Sequence, residues 1–481
     1  MSIKVVLTML PFSNHIFTPP IQLAYLKGYL QQDKDVDVRI LDLETYCFSS
    51  SLINSNSRLY WERIWSGEDS RVDNEIKPLL DDMVRQILSQ NPHVVGFSVT
   101  NTNHLLTNYV SQQIRKADSN IYIICGGRRF CLRQRWRPHI ANLHGELPDV
   151  DCIIKNEGEA TLREIVTILK TGRQPSYCKG ATLRLDGKIV DSSDRMPIED
   201  IDSIPFPDFS DFSKQDYLSD YIRILFYRGC AGRCSFCVEN DMMGYSVRYR
   251  SVQNIIDEIK LRIQQGYKRF QSCDLALNSN AAHLEKLCQS IVDERLNIEF
   301  TFGEFRHSPN LSREMFILLR KAGFKTIVFG TESGSQNILN RMRKTTTIDV
   351  IERNIRDAHE TQLRVILFLM VGFPGETEET FLETLSLLRD NKNYIDAIGF
   401  AAPTNVCWGS GIHENLEDYD IDVGTLFKNP DRWKSKDCRN YFEWRQDLSK
   451  RVLSYLDEIG IPLADYMIDG NPLAPVNLRR A

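Results

Sequence analysis

The 481-residue chain has no uninterrupted apolar run long enough to cross a bilayer. Its start, MSIKVVLTMLPF, carries a single lysine and a short apolar stretch. The longer apolar core and small-residue cleavage site of a signal peptide are missing. Positive charge is not in excess either: the formal net charge is −5, so no global field favours nucleic acid. A soluble cytoplasmic protein with neither membrane nor nucleic-acid partners is expected. Composition is otherwise that of a globular protein, 42% hydrophobic and 26% charged, and the length allows two or three domains. Twelve cysteines in such a chain do not make a disulfide framework. Most are scattered and read as small buried apolar residues.

Cys230, Cys234 and Cys237 differ, because RGCAGRCSFC places them in one loop with the spacing C-x3-C-x2-C. Thiolates so close together suit a metal site. Structural zinc takes four closed ligands, usually from two separated pairs, and no second pair lies nearby. A distant fourth ligand such as His307 would be needed. A [4Fe-4S] cluster also normally takes four cysteines. Three cysteines leave one iron open to an exogenous ligand.

The flanking sequence alternates between strand and helix. ILFYRG reads as a buried strand feeding the cysteine loop, and SVQNIIDEIKLRI follows as a helix capped by Ser251. FQSCDLAL, IEFTFGEFR, TIVFGTESG, RVILFLMVGFPGE and IDAIGFAAPT are further strands, separated by helical stretches. This alternation predicts a parallel sheet with helices outside, a partial (β/α)6 barrel with its chemistry at the carboxyl ends of the strands. The first two hundred residues alternate too, through KVVLTMLP, DVRILDLE, PHVVGFSVT, IYIICGG and CIIKNEGE. They predict a Rossmann-like, doubly wound domain. MPIEDIDSIPFPDFS reads as a linker. The expected α/β organisation is a Rossmann-like domain over 1–196, a linker over 197–215, the barrel over 216–405 and a short, mostly helical C-terminal region over 406–481.

The cysteine loop at the end of the first barrel strand, with aromatic Phe236 before the third cysteine, resembles the radical S-adenosylmethionine (radical SAM) superfamily. FGTESGSQNILNRMRKTTT and MVGFPGETEET are similar to segments of that superfamily's fourth and fifth units. The resemblance implies a [4Fe-4S] cluster held by Cys230, Cys234 and Cys237. SAM would chelate the open iron, and one electron from a reductant such as flavodoxin or ferredoxin would cleave it to a 5′-deoxyadenosyl radical. Strand ends suggest the SAM pocket: Glu304 and Arg306 after the third strand, Glu332 and Ser333 after the fourth, and Gly372 where the backbone could approach adenine. The superfamily's Gly-Gly-Glu segment after the second strand is absent, and Asp274 and Asn278 stand there as substitutes.

The N-terminal domain resembles the cobalamin-binding domain of B12-dependent radical SAM enzymes. The base-off motif D-x-H-x-x-G is absent, and Arg128 and Arg129 follow the Gly126–Gly127 pair. The reading drawn from this is a B12-binding-like fold in which bound cobalamin is doubtful. Cys407, just beyond the sixth strand, could return a hydrogen atom to a carbon radical, with Cys438 as second candidate. Together with the short C-terminal region, this resembles the proteusin-type peptide epimerases, which install D-amino acids in ribosomally made precursor peptides. The function expected is a radical SAM peptide epimerase acting on a precursor peptide with a leader. The acidic stretch HENLEDYDID could touch that leader. RLYWERIW reads as an amphipathic helix. The alternatives are a cobalamin-dependent C-methyltransferase and a non-catalytic peptide-binding protein.

Overall fold

Apolar strands buried on both faces build the first part of the chain. In the computed structural model, residues 2–11, 17–49, 76–131, 144–239, 246–426 and 432–464 are described. β1 (Ile3–Met9), β2 (Val36–Asp42), β3 (Val94–Ser98), β4 (Tyr122–Gly126) and β5 (Cys152–Ile154) pair in parallel, in the order β2-β1-β3-β4-β5. One core cluster gathers Val6, Val95, Phe97 and Ile123, and another gathers Val5, Leu7, Val94 and Ile124. Neighbouring residues thus alternate between two apolar layers, which is why these strands read as continuous hydrophobic runs. The winding reverses between β1 and β3, so a crevice opens there at the carboxyl ends of the strands.

Two antiparallel strands extend this sheet, β6 (Ala181–Leu185) and β7 (Lys188–Asp191). Asp186 and Gly187 join them, both at positive φ (47° and 76°), the geometry that a two-residue hairpin turn needs. The segment read as a linker is fastened to this domain. Buried Lys27 pairs with Asp211 at 2.7 Å and donates to Ser210 at 2.8 Å. The Tyr217 hydroxyl donates to Asp42 at 2.7 Å. The chain divides into two units, 1–218 and 219–481.

The second unit holds the barrel. β8 (Tyr221–Ile224) leads to the short β9 (Tyr227–Arg228), which pairs antiparallel with β10 (Arg248–Tyr249). β11 (Arg269–Ser272), β12 (Glu299–Phe300), β13 (Gly303–Phe305), β14 (Thr326–Glu332), β15 (Arg364–Val371) and β16 (Ala397–Pro403) complete the strands. The parallel ladders run β8-β11-β12 and β13-β14-β15-β16. The third expected strand is therefore split at Thr301 and Phe302, its halves pairing to opposite sides. Ser251, Asn280, Ser312, Thr347 and Thr377 each accept a backbone N–H at the start of a following helix. Such caps contribute about 1 kcal/mol each. Phe302, Val328, Ile366, Ala397 and Ala464 form an apolar plug inside the barrel.

Candidate active site at the carboxyl ends of the barrel strands

Gly229 sets the entry to the cysteine loop. Its φ is +96°, and a Cβ there would lie 2.3 Å from the Ser246 carbonyl oxygen, so only glycine fits. Beyond it each thiol has its own donor. The Gly232 N–H donates to Cys230 Sγ at 3.3 Å and the Glu239 N–H to Cys237 Sγ at 3.4 Å. Arg306 Nη1 lies 3.4 Å from Cys234 Sγ. Burial pushes the Cys230 thiol up, and burial with nearby Glu239 and the other two cysteines pushes Cys237 up to about 12. Burial thus disfavours the bare thiolates of Cys230 and Cys237, a cost that a bound metal would offset. Among the described residues, no three His, Cys, Asp or Glu side chains converge as the ligands of one ion would. Three neighbouring thiols, each with a hydrogen-bond donor, fit a cluster in which each thiolate takes a separate iron. His307 is engaged elsewhere: Nε2 lies 2.8 Å from Thr331 Oγ1, and the ring stacks on Phe329.

The loop is pinned from behind. Asp274 accepts from the N–H groups of Phe226 (3.0 Å) and Tyr227 (2.9 Å) and from the Ser272 hydroxyl (2.7 Å). Burial still pushes its carboxyl up to about 7. It is thus a backbone clamp. Asn278 accepts from the Arg306 N–H at 3.0 Å and donates to the Arg306 carbonyl at 2.8 Å, holding that residue toward the cysteines. Gly232 leaves the space, since a Cβ there would meet Arg306 Nη1 at 1.9 Å. Phe236 packs on an apolar cluster with Ile338, Met342, Phe373 and Ile412. Ser235 donates its N–H to the Met342 carbonyl at 3.0 Å and accepts the Ile412 N–H at 2.7 Å.

The residues expected around SAM divide into two groups. Arg306 reaches the cysteine loop. Glu304 is on the barrel's inner face, registered with Val328, and burial with Glu332 nearby pushes its carboxyl up to about 7. Glu332 ends β14 at a φ of +65° and pairs with Lys344 at 3.0 Å. Lys344 also donates to the Gly330 carbonyl. The sequence reading passed over Lys344, although it follows closely in RMRKTTT. Ser333 and Gly372 are committed elsewhere. The Ser333 hydroxyl accepts the Ser335 N–H at 3.1 Å and lies 3.3 Å from Thr384 on the helix Glu378–Asp390. Gly372 sits under Arg445, with φ +69° and a would-be Cβ 2.2 Å from Arg445 Cγ. Its N–H donates to Glu376 and its carbonyl accepts from Asn440 at 3.0 Å. This glycine makes room for a buried arginine.

Cys407 and Cys438 are both exposed. Cys407 accepts the Ser410 N–H through its carbonyl in the turn after β16. Cys438 is held at a φ of +58° in a turn near Asp437. In HENLEDYDID the side chains of Tyr419 and Ile421 are buried, while Glu417 pairs with Lys436 and Asp422 with Lys434. RLYWERIW lies outside the described residues.

A second candidate site is the carboxyl edge of the first unit's sheet. Asn103 is buried and joins two loops there, donating to the Leu10 carbonyl at 3.1 Å and accepting the Thr100 N–H at 2.8 Å. Gly127, φ +109°, lies so close to Val99 that a Cβ would meet its backbone N and O at 2.8 Å. Ser98, Thr100, Asn101 and Thr102 give this edge short polar side chains, and Gly126 adds none. Arg129 is drawn to Asn101 at 3.1 Å and Glu146 at 2.6 Å. A shelf of small residues at a switch point fits a broad flat ligand.

The sequence profile of the Radical SAM superfamily matches residues 224–388. This segment is a radical SAM domain. A radical SAM domain uses a [4Fe-4S] cluster and SAM, and it needs a one-electron reductant. Over 83% of its length, and 79% of the relative's, this chain is 25% identical to an uncharacterised methyltransferase of Pyrococcus horikoshii. It is 26% identical to the anaerobic magnesium-protoporphyrin IX monomethyl ester cyclase of Rubrivivax gelatinosus, over 77% of this chain and 62% of that one. It therefore spans under two thirds of the cyclase. Among solved structures it resembles the radical SAM methyltransferase TsrM of Kitasatospora setae, solved with cobalamin and a [4Fe-4S] cluster. The TM-score is 0.67 at 19% identity, covering 87% of this chain and 75% of that one. The radical SAM domain and the doubly wound domain before it thus form an α/β fold already seen in that enzyme. Among the described residues, no helix is long and apolar enough to cross a membrane.

These relatives overturn the peptide epimerase. The relatives are named as methyltransferases, a putative methylthiotransferase, a methylthio-adenosine synthase and a cyclase, and no peptide substrate is supported. Cys407 and Cys438 lose the reaction for which a hydrogen donor was required.

Proposed function

We propose that this chain is a cobalamin-dependent radical SAM methyltransferase acting on carbon. The observation that carries the reading is the order of parts: a parallel sheet with a shelf of small polar residues at its switch point, followed by a radical SAM barrel. The methyltransferase solved with cobalamin has the same order. When bound, SAM on the cluster supplies the radical and the methyl group, and cobalamin serves as the methyl carrier. Cys230, Cys234 and Cys237 would hold the cluster. The Gly232 and Glu239 amides, with Arg306, would temper the charge on their sulfurs. Glu332, fixed by Lys344, would position the polar part of SAM at the end of β14. Ser98, Thr100, Thr102, Gly126 and Gly127 would form the cobalamin shelf. The sequence left cobalamin doubtful, and this reading takes it as bound. The absent D-x-H-x-x-G motif removes a histidine ligand, not the shelf, and Arg129 is held by Glu146.

The test uses reconstituted protein, SAM labelled in its methyl group, a reductant and an extract of small molecules. Transfer of label to an extract component, dependent on added cobalamin, is expected. Formation of 5′-deoxyadenosine without label transfer would sink the proposal. It would favour a radical ring closure, the class named for the cyclase relative.

A further inference from the structure

Two polar side chains inside the barrel, Arg223 and Gln271, each carry a buried atom without a hydrogen bond among the described residues. Arg223 on β8 and Gln271 on β11 are register partners and share one face of the sheet. That face is the inner one, because the adjacent Phe270 turns outward to Phe300, which stacks on Phe324. Arg223 Nε and Gln271 Oε1 are both buried without a hydrogen bond, and Gln271 is only 6% exposed. Glu304 on β13 faces the same space. Among its neighbours, Arg223 alone favours its charged form. Native proteins rarely bury an amide oxygen or a guanidinium nitrogen unpaired. Such a group facing the barrel interior is a candidate contact for a ligand atom.

The other end of the curved sheet supplies a different wall. Phe368 on β15 and Phe400 on β16 stack at 4.2 Å, 27° from parallel, and both are half-buried. Gly399 makes this possible, since a Cβ there would meet Phe368 Cε1 at 2.4 Å. The apolar plug of Phe302, Val328 and Ile366 forms the floor.

We infer that this lumen is the subsite of the methyl acceptor, and that the acceptor is a small planar or aromatic molecule bearing a carboxylate and an N–H or O–H donor. The inference rests on the proposed function and names its substrate class. The carboxylate suits the two-pronged guanidinium of Arg223. Gln271 Oε1 can only accept, so it requires a donor. The ring lies against Phe368 and Phe400. A phosphate, with its higher charge, would meet Glu304 and Glu332 and is disfavoured.

The probes are indole-3-propionate, its uncharged amide and phenyl phosphate. Binding is measured by calorimetry on the full chain with its cluster reconstituted, with and without cobalamin. The acid should bind at least about tenfold more tightly than the amide or the phosphate. Arg223→Met should abolish the preference for the acid, and Gln271→Leu should weaken acid and amide alike. Both variants should retain normal iron content. If Arg223→Met does not fold, Arg223→Lys should reduce the preference without abolishing it. Equal binding of acid and amide, preference for the phosphate, an unaffected arginine variant, or no binding of any probe would overturn the inference. If the protein retains no cobalamin yet still prefers the acid through Arg223, the proposed methyl transfer fails and the lumen assignment stands.

Discussion

Replacing Gly372 with alanine separates two accounts of the same glycine. From the sequence, its freedom serves the approach of adenine. In the structure, it serves Arg445. A Cβ would lie 2.2 Å from Arg445 Cγ and 2.5 Å from Cδ, at a φ of +69°. The left-handed backbone alone costs an alanine about 1 kcal/mol. Arg445 must also withdraw. It is fully buried, its guanidinium lies 4.0 Å from the centre of the Trp433 ring, and it donates to Asn440 Oδ1 at 2.9 Å and the Trp433 carbonyl at 3.0 Å. Hydrogen bonds from a charged donor contribute about 1.5–3 kcal/mol each. Losing one or both, with the backbone term, gives a destabilisation of roughly 2.5–7 kcal/mol. Urea unfolding followed by tryptophan fluorescence should show a lower midpoint with an unchanged slope. The thermal midpoint should fall by more than about 6 °C. SAM should bind the folded variant with near-normal affinity. A variant with stability within about 1 kcal/mol of the parent and a large loss of SAM affinity would refute the packing argument and restore the adenine role.

Other perturbations read other parts of the site. Arg306→Ala removes the positive donor on Cys234, so the cluster's reduction potential should fall in a spectroscopic titration; an unchanged potential would detach Arg306 from the cluster. Gly229→Ala forces a Cβ toward the Ser246 carbonyl and should lower iron bound per chain after reconstitution, whereas full iron content would show that the loop tolerates the change. The Glu376 carboxyl is pushed up to about 8 by burial. The folded state therefore holds that proton more tightly than the unfolded chain does. The stability it contributes is full below about pH 4.5 and is lost as pH rises through about 8. Relative to the parent, Glu376→Gln should lose less stability between pH 6 and pH 8.5 in urea melts, and equal losses would contradict the burial argument.

Local chemistry made much of this molecule legible. Cys230, Cys234 and Cys237 lie in one loop, so their spacing carried the cluster. The apolar runs of β1, β3, β4 and β15 are buried on both faces, so they read as parallel strands. The antiparallel strands β6 and β7 were passed over although Asp186–Gly187 is a strong hairpin signal. The break at Thr301–Phe302 depends on which neighbour each half finds, and no local pattern encodes that. Ser333 and Gly372 were placed near SAM because both follow barrel strands. The partners they have in the fold, Thr384 and Arg445, come from helices far along the chain. Arg223 and Gln271 show the same limit: one charged and one amide residue in apolar strands signal an inner face only once the curvature of the sheet is known. Cys407 suggested an epimerase through the chemistry of a thiol, yet an exposed cysteine in a turn does not define a reaction.

The cofactor content of the intact protein tests the central claim most directly. Protein purified anaerobically would be reconstituted with iron and sulfide, offered hydroxocobalamin and desalted. Iron and cobalamin would then be measured by elemental analysis and visible absorption. The account predicts about four irons and one cobalamin per chain. About four irons with no retained cobalamin would contradict it.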